Sequence, residues 1–477
     1  MTQALIGRMV FAAIVGFGIA WVVFSRRDEE NRAENPDLDM PRYRPLISGY
    51  ILPLFILLLS ILIVFIKGAE EAARITLSLC FTVFLHICIY YLVLIAMLPV
   101  FRRHISAWAC AILWLLPNYL YIVQYRFMEL PEPLLIIHAP GNIAWIAFAV
   151  WLAGFAGVLI WKIAAHLRFR SRILKDAEEI QDPNILSLWQ DSLMRANIQR
   201  PKLRLMVSAN LATPLSIGLF RRTIRVVLPD RAYSAEELAL IFRHEIVHIG
   251  HEDAWTKFFL VFCTAMCWFN PLMWIAMRNS ASDLELSCDE TVLLDADDET
   301  RQRYANLILN EAGDERGFTT CLSTSATAMR YRLKNIIAPR KRRTGSQIVA
   351  IAFVVLIMSC GFISLAYGEG TGEQLIYKSE DFRRYTLEEI RVSDTSYECA
   401  DKNALVAYIG GLKMEEMTGN YTFRTFEPRV TVRFITPEGQ LFVNLSDQIV
   451  LVQGRQRHYY YLPDGVDWDY LHTLVQQ

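Results

Sequence analysis

The sequence predicts a mainly α-helical integral membrane protein of about six spans, with an α+β domain set before the last span and a small α+β domain after it. Three observations carry this. Of 477 residues, 53% are hydrophobic and 20% charged, which is too apolar for an ordinary soluble globule. The apolar residues gather into runs of about 20, the length that crosses a bilayer. Two long polar stretches show helical periods giving way to strict alternation, the mark of mixed helix and strand. A net charge of −1, with no basic domain carrying interleaved aromatics, points away from direct nucleic-acid contact.

Residues 4–24 form the first apolar run. No basic segment precedes it and Arg26-Arg27 follows it, so a membrane anchor fits better than a cleaved signal peptide. Further spans are expected at 47–66, 75–100, 105–124, 143–163 and 348–367. Orientation follows from the loops. Arg26, Arg27, Arg32, Arg42 and Arg44 follow the first span, Arg102 and Arg103 the third, and Lys162, Arg168, Arg170, Arg172 and Lys175 the fifth. The loops after the second and fourth hold only Lys67, Arg74 and Arg126. The positive-inside rule then puts the N-terminus outside, residues 164–347 inside and residues 368–477 outside. The expected organisation is a five-helix membrane region over 1–163, a cytoplasmic domain over 164–347, a final span over 348–367 and an extracytoplasmic domain, a possible sensor, over 368–477.

Within the cytoplasmic stretch, Leu203-Leu205-Val207 alternates as a strand and Thr223 to Leu228 reads as a second. Ser234-Ala235-Glu236-Glu237 is a capping box, and Leu238, Ile241 and Phe242 begin the apolar stripe of a helix. That helix carries His244-Glu245-Ile246-Val247-His248. One turn separates the two histidines, so both imidazoles can grip one metal ion, with Glu245 beside them. Zinc held by three protein ligands keeps a position for water and lowers its pKa; a carboxylate that does not ligate can take the proton. His244 and His248 are therefore expected metal ligands and Glu245 the catalytic base. A third ligand is available in Asp283-Leu284-Glu285-Leu286-Ser287-Cys288-Asp289: Glu285 can close a Zn2+ site, while Asp289, one turn on, accepts an N–H from a ligand histidine. Asp253 is expected either to orient a ligand histidine as an acceptor or to stand as a surface charge at the helix end. His251, three residues after His248, would crowd the metal and is expected at a solvated helix end. Cys263 and Cys267 lie in an apolar run and read as packing rather than metal binding.

Thr213-Pro214-Leu215-Ser216-Ile217-Gly218, Arg225 to Pro229, the helix through Asp253, Asn270-Pro271-Leu272 and Glu285 to Asp289 resemble the BlaR/MecR-type membrane metallopeptidases, over roughly residues 45–367. The resemblance implies a membrane-embedded, zincin-like enzyme of the gluzincin type facing the cytoplasm. By position it implies His244, His248 and Glu285 on zinc and Glu245 as the base. It also implies a signal transducer that carries an outside sensor and cleaves a cytoplasmic protein such as a transcriptional repressor. A zinc-stabilised scaffold without turnover, and a protease that processes or quality-controls membrane proteins, stay open beside it. The expected partners are a protein substrate, the lipid bilayer and an unknown outside ligand, with a homodimer left open.

Residues 258–277 are apolar enough to enter the membrane, but Asn270-Pro271 disfavours one regular span and favours a half-buried piece beside the site. The basic face from Met329 to Ile336 is expected to lie on the membrane surface. The last 110 residues read as a helix near 401–416, a hairpin of Val430–Ile435 with Leu441–Leu445, strands at 449–453 and 457–462, and a closing helix from Asp467. They contain no Ser-x-x-Lys pattern, so β-lactam acylation is not expected of them. The cluster Tyr459-Tyr460-Tyr461 with Trp468 and Tyr470 is expected to pack as core.

Overall fold

The computed structural model describes residues 6, 9–18, 21, 51–123, 130–131, 133–139, 144–196, 203–220, 222–294, 296–311, 326–339, 342–359, 362–376, 386–392, 395–399, 401–417, 421–422, 430–436, 439–454 and 457–476. The basic residues expected behind the first apolar run, and Arg126, lie outside them.

The apolar runs become helices. These are α1 (Ile51–Lys67), α2 (Ala69–His104), α3 (Ala107–Leu115) and α4 (Ala144–Lys175). Among the described residues, two helical stretches, Leu79–His104 and Ile146–Lys175, are long and apolar enough to cross a membrane. The other expected spans are shorter helices. Pro117 stands at the start of a 3-10 turn that follows α3, so the run 105–124 does not stay one regular helix. None of the apolar window of α4 is buried, and Ile146, Val150, Ile160 and Trp161 point outward. A surface of that kind suits lipid, not water.

After α4 the chain forms α5 (Pro183–Arg195), β2 (Arg204–Ser208), β3 (Leu215–Ile217) and β4 (Arg225–Pro229), with an earlier strand β1 at Leu135–Ala139. Asp182 caps α5 by accepting from Asn184 N, with Pro183 at its first position. The small sheet runs Glu178–Glu179, β2, β4, β3, so β3 is an edge. The helices α6 (Ala235–His251), α7 (Asp253–Met266), α8 (Pro271–Val292), α9 (Asp298–Glu311) and α10 (Ala326–Ile337) follow. Where residues 258–277 left the path open, α7 ends at Met266, and Asn270 caps α8 by accepting from Leu272 N. Phe259, Phe262, Cys263 and Met266 of α7 share one buried core with Tyr91, Cys110 and Trp114 of the bundle. Cys263 and Cys267 are both buried free thiols.

The helix expected over 348–367 is α11, Ser346–Ser359, and the chain then turns into strand β5, Ile363–Thr371. Hydropathy could not separate them, because a buried strand and a helix are both apolar; strand pairing decides. β5 pairs parallel with β1 from Leu135↔Ile363 to Ala139↔Tyr367, and antiparallel with β8 (Lys413–Met417) on its other side. The C-terminal elements are β6 (Thr386–Val392), β7 (Thr395–Cys399), α12 (Lys402–Gly411), β8, β9 (Val430–Thr436), β10 (Gly439–Leu445), β11 (Ile449–Gln453), β12 (Arg457–Tyr461), α13 (Trp468–Leu474) and β13 (Val475–Gln476). Together with β1 and β5 they make a ten-stranded sheet in the order β13-β7-β6-β9-β10-β11-β12-β8-β5-β1. The expected hairpin is β9–β10. Tyr459 and Tyr460 are buried, as core packing requires, whereas Tyr470 is exposed.

The two folded parts sit at opposite ends of the bundle. At one end, Ser106 N donates to Arg343 O at 2.9 Å, Ala107 N donates to Glu290 of α8 at 3.1 Å, and Arg342 pairs with the same carboxylate. At the other, His86 Nε2 lies 2.9 Å from Ser359 O, where α11 gives way to the large sheet. His86 precedes His104 on α2 by about five turns, a rise of roughly 27 Å.

One tie between the bundle and the metal-site domain is Asp283 of α8, which is fully buried. Its Oδ1 accepts from Arg102 Nε at 2.8 Å and its Oδ2 from Trp114 Nε1 at 2.9 Å. Removing one partner of a buried pair strands the other charge. Arg102→Ala should destabilise the protein by about 3 kcal/mol, and Asp283→Asn on that background should recover part of the loss. Chemical unfolding in detergent measures both; additive losses would contradict the pairing.

Candidate metal centre

The site is built on α6. Ser234 Oγ accepts from Glu237 N at 3.1 Å and Glu237 Oε2 accepts from Ser234 N at 2.8 Å, so the capping box fixes where the helix starts and hence the rotation of every later residue. Leu238, Ile241, Phe242 and Val247 are buried, with Phe242 edge-on to Trp189 of α5 at 5.0 Å. His244 and His248 follow one turn apart on the same helix. α6 stops because Glu252 takes a left-handed conformation (φ 56°, ψ 38°), which costs a non-glycine residue about 1 kcal/mol. The turn starts α7 at Asp253 and folds its carboxylate back on to His248, with Asp253 Oδ2 2.6 Å from Nδ1.

The expected ligands converge. His244 Nε2 and His248 Nε2 are 3.1 Å apart. Glu285 Oε2, from α8, lies 3.7 Å from the first and 3.6 Å from the second. Asp289 does not reach a ligand histidine directly: its Oδ1 is 3.8 Å from His244 Nδ1. Tyr304 of α9 stands between them, its hydroxyl 2.8 Å from His244 Nδ1 and donating to Asp289 Oδ1 at 2.7 Å. Arg332 of α10 donates to both Asp289 oxygens, at 2.6 and 2.8 Å.

These contacts fix the protons. Asp253 and Tyr304 each accept from an Nδ1–H, so both Nε2 atoms present lone pairs to each other and to the Glu285 carboxylate. Three acceptors around one point repel unless positive charge lies between them. Their separations are close to the roughly 3.3 Å between donors on a tetrahedral ion with bonds of 2.0–2.1 Å. The residues therefore fit a divalent metal.

Electrostatics agree. Burial raises Glu285, but Lys257, 3.2 Å away, and His248 outweigh it and hold the carboxyl well below the usual range. Burial, helped by His248 and Arg332, holds His244 well below the ordinary imidazole value. Burial also works against charge on His248, yet Cys288, Glu285 and the hydrogen bond to Asp253 raise it well above that value. Without a metal, the pocket draws in one proton. Glu245 is buried and pushed up by that burial, against the pull of His248 and a hydrogen bond from Ser216.

Cys288 offers a second donor set, since His244, His248 and Cys288 could also hold an ion. Its sulfur lies 3.2 Å from His244 Nδ1, the ring atom turned away from His248, and donates to His244 O at 3.4 Å. Burial pushes this thiol up to about 12. His251 is buried, contrary to the solvated place expected for it; it lies one turn below the convergent group and outside it. Tyr304, Arg332, Lys257 and Ser216 were not singled out in the sequence. Arg332 was read as part of a basic membrane-facing surface, and its burial against Asp289 corrects that reading.

Ser216 belongs to β3, held next to α6 by a turn in which Gly218 has φ 130°. A Cβ there would stand 2.4 Å from Thr223 O, so glycine is required.

The charge on His248 gives a pH prediction. A group whose folded-state pKa is raised contributes stability that is complete below its unfolded value, about 6.5, and is lost as pH rises through the folded value. Chelator-treated protein should show a thermal midpoint that falls as pH rises above about 6.5, and Zn2+-loaded protein should not. A flat profile after chelation would count against the assignment.

Residues 122–336 match the family described as BlaR1 peptidase M56. The regulatory protein BlaR1 of Bacillus licheniformis is 26% identical over 185 residues, which cover 39% of this chain and 30% of that protein. The methicillin resistance mecR1 protein of Staphylococcus aureus is 23% identical over 172 residues, covering 35% and 28%. The match thus spans less than a third of the length of these curated relatives. The likeness to the BlaR/MecR-type peptidases rests on residues 122–336.

Proposed function

We propose that the chain is a membrane-embedded zinc endopeptidase that cuts a cytoplasmic protein, such as a transcriptional repressor, in response to a signal received outside. The observation that carries this is the convergence of His244 Nε2, His248 Nε2 and Glu285 Oε2 within 3.1–3.7 Å of one another, with the buried Glu245 on the same helix. Two imidazoles and an ionised carboxylate suit Zn2+ and leave a position for water. When bound, the metal supplies a Lewis acid that polarises the scissile carbonyl and the attacking water. Glu245 takes a proton from that water as its oxygen bonds to the carbonyl carbon, and delivers it to the amine nitrogen as the C–N bond breaks. Its burial favours this role, since a carboxylate with a raised pKa holds the proton better between the two steps.

The free edge of β3 supports a polypeptide substrate. Ser216 bonds to Glu245 from this strand, so a chain added in extended form along the edge would run past the base. Six spans, an inner peptidase and an outer C-terminal domain remain our reading of the topology. It is supported by the basic ends of α2 and α4 and by the two folded parts lying at opposite ends of the bundle. That the relatives are a regulatory protein and a methicillin resistance protein favours signalling over general protein processing.

Glu245→Gln should keep metal binding and abolish cleavage. New N-termini of cytoplasmic proteins, compared between cells bearing the native chain and cells bearing this variant, test it. Cleavage that persists in the variant overturns the enzyme reading, and signalling that persists without any cleavage favours the scaffold.

A further inference from the structure

The two ligand histidines are oriented by different devices. His248 Nδ1 meets a carboxylate directly, Asp253 at 2.6 Å. His244 Nδ1 meets a phenol, Tyr304 at 2.8 Å, and reaches its carboxylate only through it. We propose that Tyr304 is the positioning residue for His244, with Arg332 and Asp289 anchoring its hydroxyl; the proposal rests on the zinc reading above.

Only one arrangement of protons satisfies this chain of contacts. Arg332 can only donate, and it fills one site on each Asp289 oxygen. The carboxylate can only accept, so the single Tyr304 proton goes to Asp289 Oδ1. The phenol oxygen is left as an acceptor, and His244 must present Nδ1–H to it. His244 Nε2 then carries its lone pair into the ligand pocket. The Cys288 thiol does not upset this, because its own proton points to His244 O and sulfur is a weak acceptor.

Placement argues for the same role. Tyr304 is 2% exposed and comes from α9, while Arg332 comes from α10, so neither is local to the motif helix. A buried tyrosine needs one partner for its hydroxyl; this one has two, and they are a ligand histidine and the carboxylate one turn after Glu285. A phenol is a weaker acceptor than a carboxylate. The relay therefore holds the His244 ring in place without making it as basic as Asp253 makes His248.

The test uses the full chain in detergent micelles. Co2+ absorption reports ligand geometry, and competition with a chelator reports Zn2+ affinity. Tyr304→Phe keeps the ring and removes only the hydroxyl. It should weaken Zn2+ binding about 10- to 100-fold and change the Co2+ spectrum, while the thermal midpoint of the metal-free protein stays near that of the native chain. A purely packing role would leave affinity and spectrum alone, and that result overturns the proposal while the zinc reading stands. A native chain that takes up neither ion overturns both. If Tyr304→Phe does not fold, Arg332→Gln serves instead: the same spectral change in smaller degree supports the relay, and an unchanged spectrum overturns it.

Discussion

The metal centre answers to one electrostatic constraint: three lone-pair atoms from two helices face a single point. His244, His248 and Glu285 cannot hold that arrangement without positive charge between them. The surroundings are arranged accordingly. Each Nδ1 is given an acceptor, Glu285 is held ionised by Lys257, and Arg332 offsets the charge of Asp289. The buried ion pair of Asp283 with Arg102 fixes α8 against the bundle just before Glu285 enters the pocket. Ligand placement and membrane attachment therefore share one helix.

How much of this was legible in the sequence depended on range. The motif helix, its capping box and the histidine pair are local, written in residues three or four apart, and the structure brings the pair together with Glu285 from a later helix. The strand alternation at 203–207, the hairpin at 430–445 and the closing helix from Asp467 were legible for the same reason. Tyr304 and Arg332 were not, because a tyrosine in a polar helix and an arginine in a basic run look like surface until α9 and α10 fold over the site. Asp289 was placed on the correct face, yet the tyrosine that would intervene lies on another helix and leaves no trace in the spacing.

The apolar run 348–367 shows a different limit. Hydropathy counts burial and is blind to the backbone, so a helix through Ser359 and a strand from Ile363 look alike to it. The partner that settles the matter, Leu135–Ala139, lies more than two hundred residues away, in a connection between two bundle helices.

That partnership makes the C-terminal region something other than a detachable cassette. Its terminal rung is borrowed from the loop before α4, and α4 runs without interruption to Lys175 at the threshold of the metal-site domain. Because β1 and β5 run side by side in the same direction, a pull along them loads every rung of the ladder together instead of peeling it from one end. Swapping in a different C-terminal module would leave Leu135, Ile136 and Ile137 with a bare edge, so any replacement must bring a strand of its own to cover them.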